Sequence, residues 1–490
     1  MTIEEILQTT DIDTLIGYLK RRKTKAPDTK NNLADWDVEK HEIMTDKEKY
    51  PDREVIVKQE EDVFNENTGQ RTTIPAKTKT ESVNRIAIPL EQDIVNIQTA
   101  FTVGTEPKLN CDPANDEEKD LLKAITSVLS KNKIKYQNKK IVRAWLAEQE
   151  VVEYWFAIKD DSFWTKLWAT IKGSLGRKSK PQKKLKSVIW SPFRGDTLYP
   201  FFDDYGDLIA VSREYIRTTL EGREITCFQT VTKDMVYQWE NLDGWVAVSE
   251  KTFKHGFSKL PAIYGYRSEP YCRKIKTLRV RIEKLLSNYA DCIDYHFFPI
   301  LKLFGDVGGV MGKTKDRMVQ LQGEGADASY LVWQQAPDTV KLELDTMFTN
   351  AYSMTNTPRI SFETMQGVGN LSGVAFRLLF MGAHMAVENH TEDIGNFFQR
   401  RINFLSSALS DINPYEFSTA SKTIDIDSEV VPYTIDSLVE KVDTAIKAKE
   451  GGVWSQRTAV LFAGNADRIE EELEQIKKDA EESVGQEGAA

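Results

Sequence analysis

Two stretches of this chain carry their apolar residues on a stripe too narrow for an ordinary core helix. Ile275, Leu278, Ile282, Leu285, Tyr289 and Cys292 step alternately by three and four residues, and Val340, Leu344, Met347, Ala351 and Met354 do the same. A seam of that width suits helices set against a few parallel neighbours. The other faces of the first stretch carry Arg273, Lys274, Lys276, Arg279, Arg281 and Lys284. Residues 295–336, between the two stripes, break the pattern with strands and glycines. Beyond them Gly367-Val-Gly-Asn-Leu-Ser-Gly373 opens an apolar helical pattern that runs to about Leu409. At 1.5 Å per residue this predicts a helix of about 55 Å, unusual in a compact domain.

The 490 residues give a prior of about three structural units. A short helical pattern (Ile3, Ile6, Leu7, then Leu15, Ile16, Leu19) ends in the basic run Lys20 to Lys23. Glu54-Val-Ile-Val-Lys58 and Arg71-Thr-Thr-Ile-Pro75 read as strands flanking an Asn67-Thr68-Gly69 turn. Leu90, Ile94, Ile97 and Phe101 keep helical spacing up to a stop at Gly104 and Pro107. Asn115 or Asp116 can cap a helix that turns Leu121, Leu122, Ile125, Val128 and Leu129 inward, and another covers Ile141 to Ala147. From Val151 to about Tyr266 the period shortens to that of strands, at Val188–Ser191, Leu208–Val211, Ile225–Phe228, Val236–Trp239 and Trp245–Val248. This is a β-rich unit inserted in a helical protein. Two more helices are expected near Leu438 to Ala448 and Asp467 to Ala480, the second strongly acidic.

Composition narrows the partners. Hydrophobic residues are 40% and charged residues 29% of the chain, which excludes a wholly disordered one. With 65 Lys and Arg against 75 Asp and Glu the net charge is −10, so any nucleic-acid contact must be local. Uncharged runs stop at about a dozen residues where a membrane span needs about 20 apolar ones, so no membrane helix is expected. The start, Met1-Thr-Ile-Glu-Glu-Ile-Leu, lacks the basic and apolar regions of a signal peptide. Cys111, Cys227, Cys272 and Cys292 form no C-x-x-C pair. On one helix Cys272 and Cys292 would lie about 30 Å apart, too far for a disulfide. Four packing cysteines in a reducing, cytosolic setting are expected.

Several local patterns carry candidate chemistry. Gly308-Gly309-Val-Met-Gly312-Lys313-Thr314 follows an apolar strand, Ile300 to Phe304. It approaches the G-x-x-x-x-G-K-[ST] loop whose backbone N–H groups curl around phosphate. Its first glycine position is Val307, and no βαβ alternation surrounds it. A glycine-rich turn is the plainer reading, and a nucleotide-binding phosphotransferase is the alternative. His384 and Glu388 share a helix face, but His390 does not complete a metal set there, so neither metal nor cofactor is assigned. Asp203-Asp204, within Phe-Phe-Asp-Asp-Tyr-Gly, reads as a turn rather than an acid–base couple. None of the five histidines pairs locally with a nucleophile and a carboxylate, so no catalytic residue is named. The stretch 163–186 has no acidic residue and sets Phe163, Trp164, Leu167, Trp168 and Ile171 among lysines. It reads as a solvated loop with an aromatic foot, with a membrane-surface helix or a nucleic-acid patch as alternatives.

Four segments, in order along the chain, carry a likeness to a known family. They are Asn84-Arg-Ile-Ala-Ile-Pro89 leading to Phe101-Thr-Val-Gly104-Thr-Glu-Pro107, Leu198-Tyr-Pro-Phe-Phe-Asp-Asp-Tyr-Gly206-Asp-Leu-Ile-Ala, Gly369-Asn-Leu-Ser-Gly373-Val-Ala-Phe, and Gly451-Gly-Val-Trp-Ser-Gln-Arg-Thr458 before an acidic helix. Over about residues 84–480 the chain resembles the portal proteins of tailed bacteriophages, in the branch with long non-contractile tails. Residues 1–80 and the basic stretch 163–186 match nothing in that pattern.

The resemblance implies an α+β portal fold with a helical stem and crown, a β-rich wing and a small mixed α/β clip. The wing would span 1–265 and 373–434, the two stem helices 266–294 and 337–358, the clip 295–336, a tunnel loop 359–372 and the crown 435–490. Ile275, Leu278, Ile282, Leu285, Leu344 and Met347 would pack the stem, and Gly367, Val368, Gly369, Asn370, Leu371 and Ser372 would form the loop facing DNA. It implies a dodecameric homo-oligomeric ring at one capsid vertex of the virion, assembled in the host cytoplasm and not membrane-bound. Its partners would be double-stranded DNA, the terminase large subunit that hydrolyses ATP, the major capsid protein and a head–tail adaptor. A different phage or membrane-associated scaffold is the remaining alternative.

Overall fold

The period-2 alternation of the β-rich region decides how the chain is layered. In the computed structural model, which describes residues 2–22, 24–58, 61–65, 70–74, 77–159, 183–296, 300–311, 318–331, 337–360, 378, 380–433, 438–464 and 472–479, two antiparallel sheets stack within this region. The strands Glu150–Lys159, Lys183–Trp190 and Ala262–Tyr266 form a three-stranded sheet with Glu150–Lys159 central. One of its faces turns Val151, Trp155, Leu185, Ile189 and Ile263 to the helices. The other turns Val152, Tyr154, Trp190, Ala262 and Tyr264 to a six-stranded sheet built on Thr197–Phe202, Leu208–Thr218, Glu224–Thr232 and Met235–Asn241. Neighbouring residues such as Tyr154 and Trp155 thus serve different cores, because successive strand side chains point to opposite faces.

The far face of the six-stranded sheet is covered by the N-terminus. Helices α1 (Ile3–Leu7) and α2 (Ile12–Leu19) bury Ile3, Ile6, Leu15, Ile16 and Leu19 on Ala210, Phe228 and Trp239. Thr2 and Glu5 form a reciprocal capping box on α1. Two members of the basic run after α2 are spent on ion pairs within the chain. Arg22, nearly buried, pairs with Glu150 at 2.7 Å, and Lys20 pairs with Glu214 at 2.8 Å. Helix α3 (Thr29–Trp36) follows. Between residues 53 and 81 the observed pairing differs from the expected one. Arg53–Lys58 pairs with Lys77–Glu81, and Glu61–Asn65 pairs with Gln70–Ile74 in a separate hairpin. A turn signal such as Asn-Thr-Gly marks where a chain reverses, not which outer strands then meet.

The largest core is helical. Helices α4 (Leu90–Val103), α5 (Asp116–Lys131) and α6 (Ile134–Glu148) pack on the three-stranded sheet, with Ile94, Leu121, Ile125, Ile141, Val142 and Trp145 all fully buried. Asn115 is the cap of α5, its side chain accepting from the Glu118 N–H at 2.9 Å. Gly104 ends α4 where a Cβ would meet the Ala100 carbonyl oxygen at 2.3 Å, so no larger residue fits.

Two helices leave this core side by side. After a 3₁₀ turn at Tyr271–Ile275, α7 spans Lys276–His296 and is followed by an antiparallel hairpin, Ile300–Met311 with Met318–Leu331. Helix α8 (Pro337–Met354) then returns along α7, tied to it by Arg281 and Glu343 at 2.7 Å. Between these two helices the described residues 300–311 and 318–331 are all strand. Helix α9 (Met381–Ile412) has 32 residues, about 48 Å of helix, and buries a face from Ala383 to Leu409. Its end is followed by a short strand, Asp427–Glu429, paired with Lys108–Asn110. Helices α10 (Leu438–Glu450) and α11 (Gln456–Ala463) close the described chain with a helical segment at 472–479.

Candidate functional site

The two projecting helices must be held at their roots, and the residues that do this come from four segments distant in sequence. The apolar stripe of α7 supplies part of the hold. Ile275 and Ile282 are fully buried, while Leu278 and Leu285 are half-buried against the same core. On α8, Met347 and Ala351 are buried and Leu344 is half-buried. Both stripes are thus used within one chain, facing each other and the helical core. Leu342 and Met354 stay exposed.

A second, polar stripe runs beside the first on α7. Arg279, Glu283, Ser287 and Asp291 stand at four-residue steps, about 6 Å of helix rise apart. The extended segment 84–88 passes antiparallel to it with alternate N–H groups about 6.6 Å apart. The two spacings match. Asn84 N–H donates to Asp291 at 2.8 Å, Ile86 N–H to the Ser287 hydroxyl at 2.9 Å, and Ile88 N–H to Glu283 at 3.1 Å. The Asn84 amide adds a bond to Asp294 at 2.6 Å. This accounts physically for the Asn-x-Ile-x-Ile-Pro pattern. Alternate N–H groups read the helix until Pro89, which has none, hands over to α4.

At the top of the polar stripe sits a buried ionic cluster. Arg279, placed off the apolar stripe by its spacing, is 0% exposed. Its guanidinium meets Asp35 at 2.8 Å and Glu283 at 3.4 Å, and its Nε lies 2.6 Å from Glu91 in an ion contact without hydrogen-bond alignment. His41 faces Glu283 at 2.6 Å through Nδ1 and the Asp35 carbonyl at 3.1 Å through Nε2. Lys276 reaches Asp35 at 2.8 Å. Burial pushes the Glu91 carboxyl up to about 7, against the pull of Arg279. The spacing Arg279–Glu283 at i, i+4 was a legible pair; that it is buried was not.

The root of α8 is held from the other side. Asn356, in the left-handed region at φ 47°, turns the chain at its end. The Gln98 amide donates to the Thr355 carbonyl at 3.1 Å and to the Thr357 hydroxyl at 2.8 Å, and the Tyr271 hydroxyl donates to the Thr355 carbonyl at 2.5 Å. These satisfy carbonyls that a helix end leaves open.

The other candidate chemistries resolve differently. His390 is buried, with Nδ1 3.3 Å from the Thr102 hydroxyl and its ring edge-on to Trp145 and Tyr271. His384 packs edge-on to Phe101, and Glu388 is exposed, so the three do not converge. Among the described residues no group of His, Cys, Asp and Glu could hold a metal ion, and no helix is long and apolar enough to cross a membrane. Asp203 accepts from the N–H groups of Tyr205 and Asp207 at 2.9 and 2.8 Å, which is a turn. Gly308 and Gly309 lie within a hairpin strand that shifts register between Val307 and Gly309, and the next described segment is its partner strand rather than a helix. That is not the strand–loop–helix a phosphate loop needs. All four cysteines are free thiols. Gly312 to Thr314, the tunnel-loop residues Gly367, Val368, Gly369, Asn370, Leu371 and Ser372, and the basic stretch from 163 to 182 lie outside the described residues.

Comparison with known proteins then decides the family. Residues 30–486 match the family described as "Phage portal protein, SPP1 Gp6-like". The chain belongs to this phage portal family. The match covers all but the first 29 and last 4 residues, so the α1–α2 cap on the six-stranded sheet lies outside it. The portal family is structural rather than enzymatic. No curated protein sequence matches the chain. Solved structures are similar to it as well, two of them at 10% identity. One is described as "Neck of empty GTA particle computed with C6 symmetry" (TM-score 0.38, 77% of this chain and 90% of the other). The other is described as "Virion of native gene transfer agent (GTA) particle" (TM-score 0.33, 76% and 88%). At those scores the likeness carries no argument, and the assignment of this portal protein rests on the family match.

Proposed function

We propose that this portal protein forms a dodecameric ring at one vertex of the capsid, a virion channel through which double-stranded DNA is packaged and later ejected. The observation that carries the reading is the family match over residues 30–486. The helix–hairpin–helix projection of α7, Ile300–Met311, Met318–Leu331 and α8 supports it, as the stem and clip of such a ring. In this reading the ring docks the terminase large subunit and the head–tail adaptor and sits among copies of the major capsid protein, and assembly takes place in the host cytoplasm. The motor's ATP hydrolysis belongs to the terminase. A channel has to hold DNA without gripping it, since each Lys or Arg–phosphate contact adds salt-dependent affinity. The net charge of −10 suits that requirement.

The loop Gly367 to Ser372 is the segment assigned to the DNA. From Thr364 to Ala375 the chain carries no charge, which favours sliding over binding. Particle mass and packaging test the proposal. Twelve copies of a 55.9 kDa chain give a particle of roughly 670 kDa by mass photometry. Val368→Lys with Leu371→Lys is expected to slow or stall packaging while leaving the particle mass unchanged. Normal packaging by that double variant would put the loop away from the DNA.

A further inference from the structure

Beside the root of α8, on the side away from the ionic cluster, lies a cavity of about 480 Å³ lined by Arg267, Tyr271, Lys274, Asn356, His390 and Asp393, among others. The Asp393 carboxyl shares this lining and acts on Arg267 without closing to ion-pair distance. The Arg267 guanidinium lies over Trp145 at 4.8 Å and over Tyr271 at 5.2 Å, and the Lys274 ammonium also lies 5.2 Å from the centre of the Tyr271 ring. Among the described residues neither forms an ion pair or a side-chain hydrogen bond. The aromatic faces hold the guanidinium plane rigidly and use none of its N–H donors, so the fork remains open for a carboxylate or phosphate. Burial lowers the Arg267 guanidinium from its ordinary range, while Lys274 and Asp393 remain exposed.

The rim decides between the two anions. On α9 the exposed residues pass from Met381 and Met385, 54% and 58% exposed, to the acidic Glu388, Glu392 and Asp393. Met354 joins them from α8 at 52% exposure, and α9 runs close to the α8 root, where a Cβ on Gly382 would lie 3.8 Å from the Asn356 carbonyl oxygen. Exposed methionines around an open arginine are the composition of a protein–protein contact. The Asp393 carboxyl on the lining, with Glu388 and Glu392 exposed on the same helix, repels a polyphosphate backbone, whereas a single side-chain carboxylate can still enter.

We propose that this cavity receives an Asp or Glu side chain from a second copy of the chain, with the Met354–Met381–Met385 patch covered by the same neighbour. The proposal rests on the ring reading above. A closed ring joins two unlike surfaces of each copy, and an acidic chain has carboxylates to offer.

The test compares assembly of the full-length wild type, Arg267→Gln/Lys274→Gln and Met385→Glu by mass photometry over a dilution series, with melting curves of each. Met385 is exposed, so Met385→Glu leaves the monomer intact whatever happens to the cavity variant. Expected is a rise of at least about tenfold in the concentration needed for half assembly in both variants, with unchanged melting of the monomer. Wild-type rings together with equally ready rings in both variants would overturn the cavity proposal alone. A wild type that forms no particle of ring mass would overturn the ring reading and this proposal with it. Variants that assemble normally but lose affinity for a 30-base-pair duplex at low salt would make DNA phosphate the occupant, and would also overturn it.

Discussion

Arg279→Met removes the one fully buried cation that Asp35, Glu91 and Glu283 share, while nearly preserving volume. Removing one partner of a buried pair costs about 3–5 kcal/mol, because the remaining charge is left uncompensated. The surroundings place this site at the low end. Asp35 keeps Lys276 at 2.8 Å, and Glu283 keeps His41 at 2.6 Å. Glu91 has no other cation within ion-pair reach among the described residues, but burial already holds it up to about 7, so without Arg279 it takes up a proton near neutrality. About 3 kcal/mol at pH 7 is therefore expected, read as a fall in the opening free energy of α7 amides by native-state hydrogen exchange. The pH dependence has a sign. A carboxyl whose folded value lies above its unfolded one stabilises the fold below the unfolded value, and that stability is lost as pH rises through the folded value. In the wild type this loss runs from about 4.5 to about 7 and amounts to roughly 3 kcal/mol. In Arg279→Met the window extends higher, so the variant loses further stability as the pH rises above 7, and adding Glu91→Gln abolishes that extra slope. A loss under about 1 kcal/mol at pH 7, or a slope unchanged by Glu91→Gln, would refute the view that Arg279 fixes α7 to Asp35 and Glu91.

Burial first, then Arg267 and Lys274, pushes His390 down to about 3. Stability from its neutral form is whole above its usual value of 6.5 and is lost as pH falls towards 3, so His390→Gln should flatten the drop in melting temperature between pH 6.5 and 4; an equally steep drop would place acid sensitivity elsewhere. Leu278→Asp with Leu285→Asp sets two carboxylates against the apolar seam of α7 and α8, and is expected to abolish particles of ring mass, since buried unpaired charge is strongly disfavoured. Full-mass rings in that variant would show that the seam is not needed for assembly. ATP is expected to leave the melting temperature unchanged, where a ligand at 100 times its Kd would add about 2.7 kcal/mol. An ATP-dependent shift that disappears in Lys313→Ala would revive the phosphotransferase reading.

The elements of this portal protein were legible because local periodicity writes them. The 3-4 steps from Ile275 and Val340 predicted α7 and α8, alternation predicted the strands from Val188 to Trp245, and Asn115 announced the start of α5. Four motifs in order along the chain carry the likeness to the family. Which strands pair, and which charges are buried, were not legible. Arg53–Lys58 and Lys77–Glu81 meet across a hairpin that intervenes between them. Arg279 looks like its solvated neighbours Arg281 and Lys284 until Asp35 and Glu91, about 240 and 190 residues away in sequence, converge on it. The residue types Asn84, Ile86 and Ile88 reveal nothing of their backbone N–H groups, and only the antiparallel packing on Ser287 and Asp291 shows what those groups bind. Sequence records each residue's preference for helix or strand, because that preference acts within a few bonds. Burial and ion pairing are set by contacts between distant segments, so only the tertiary structure decided them.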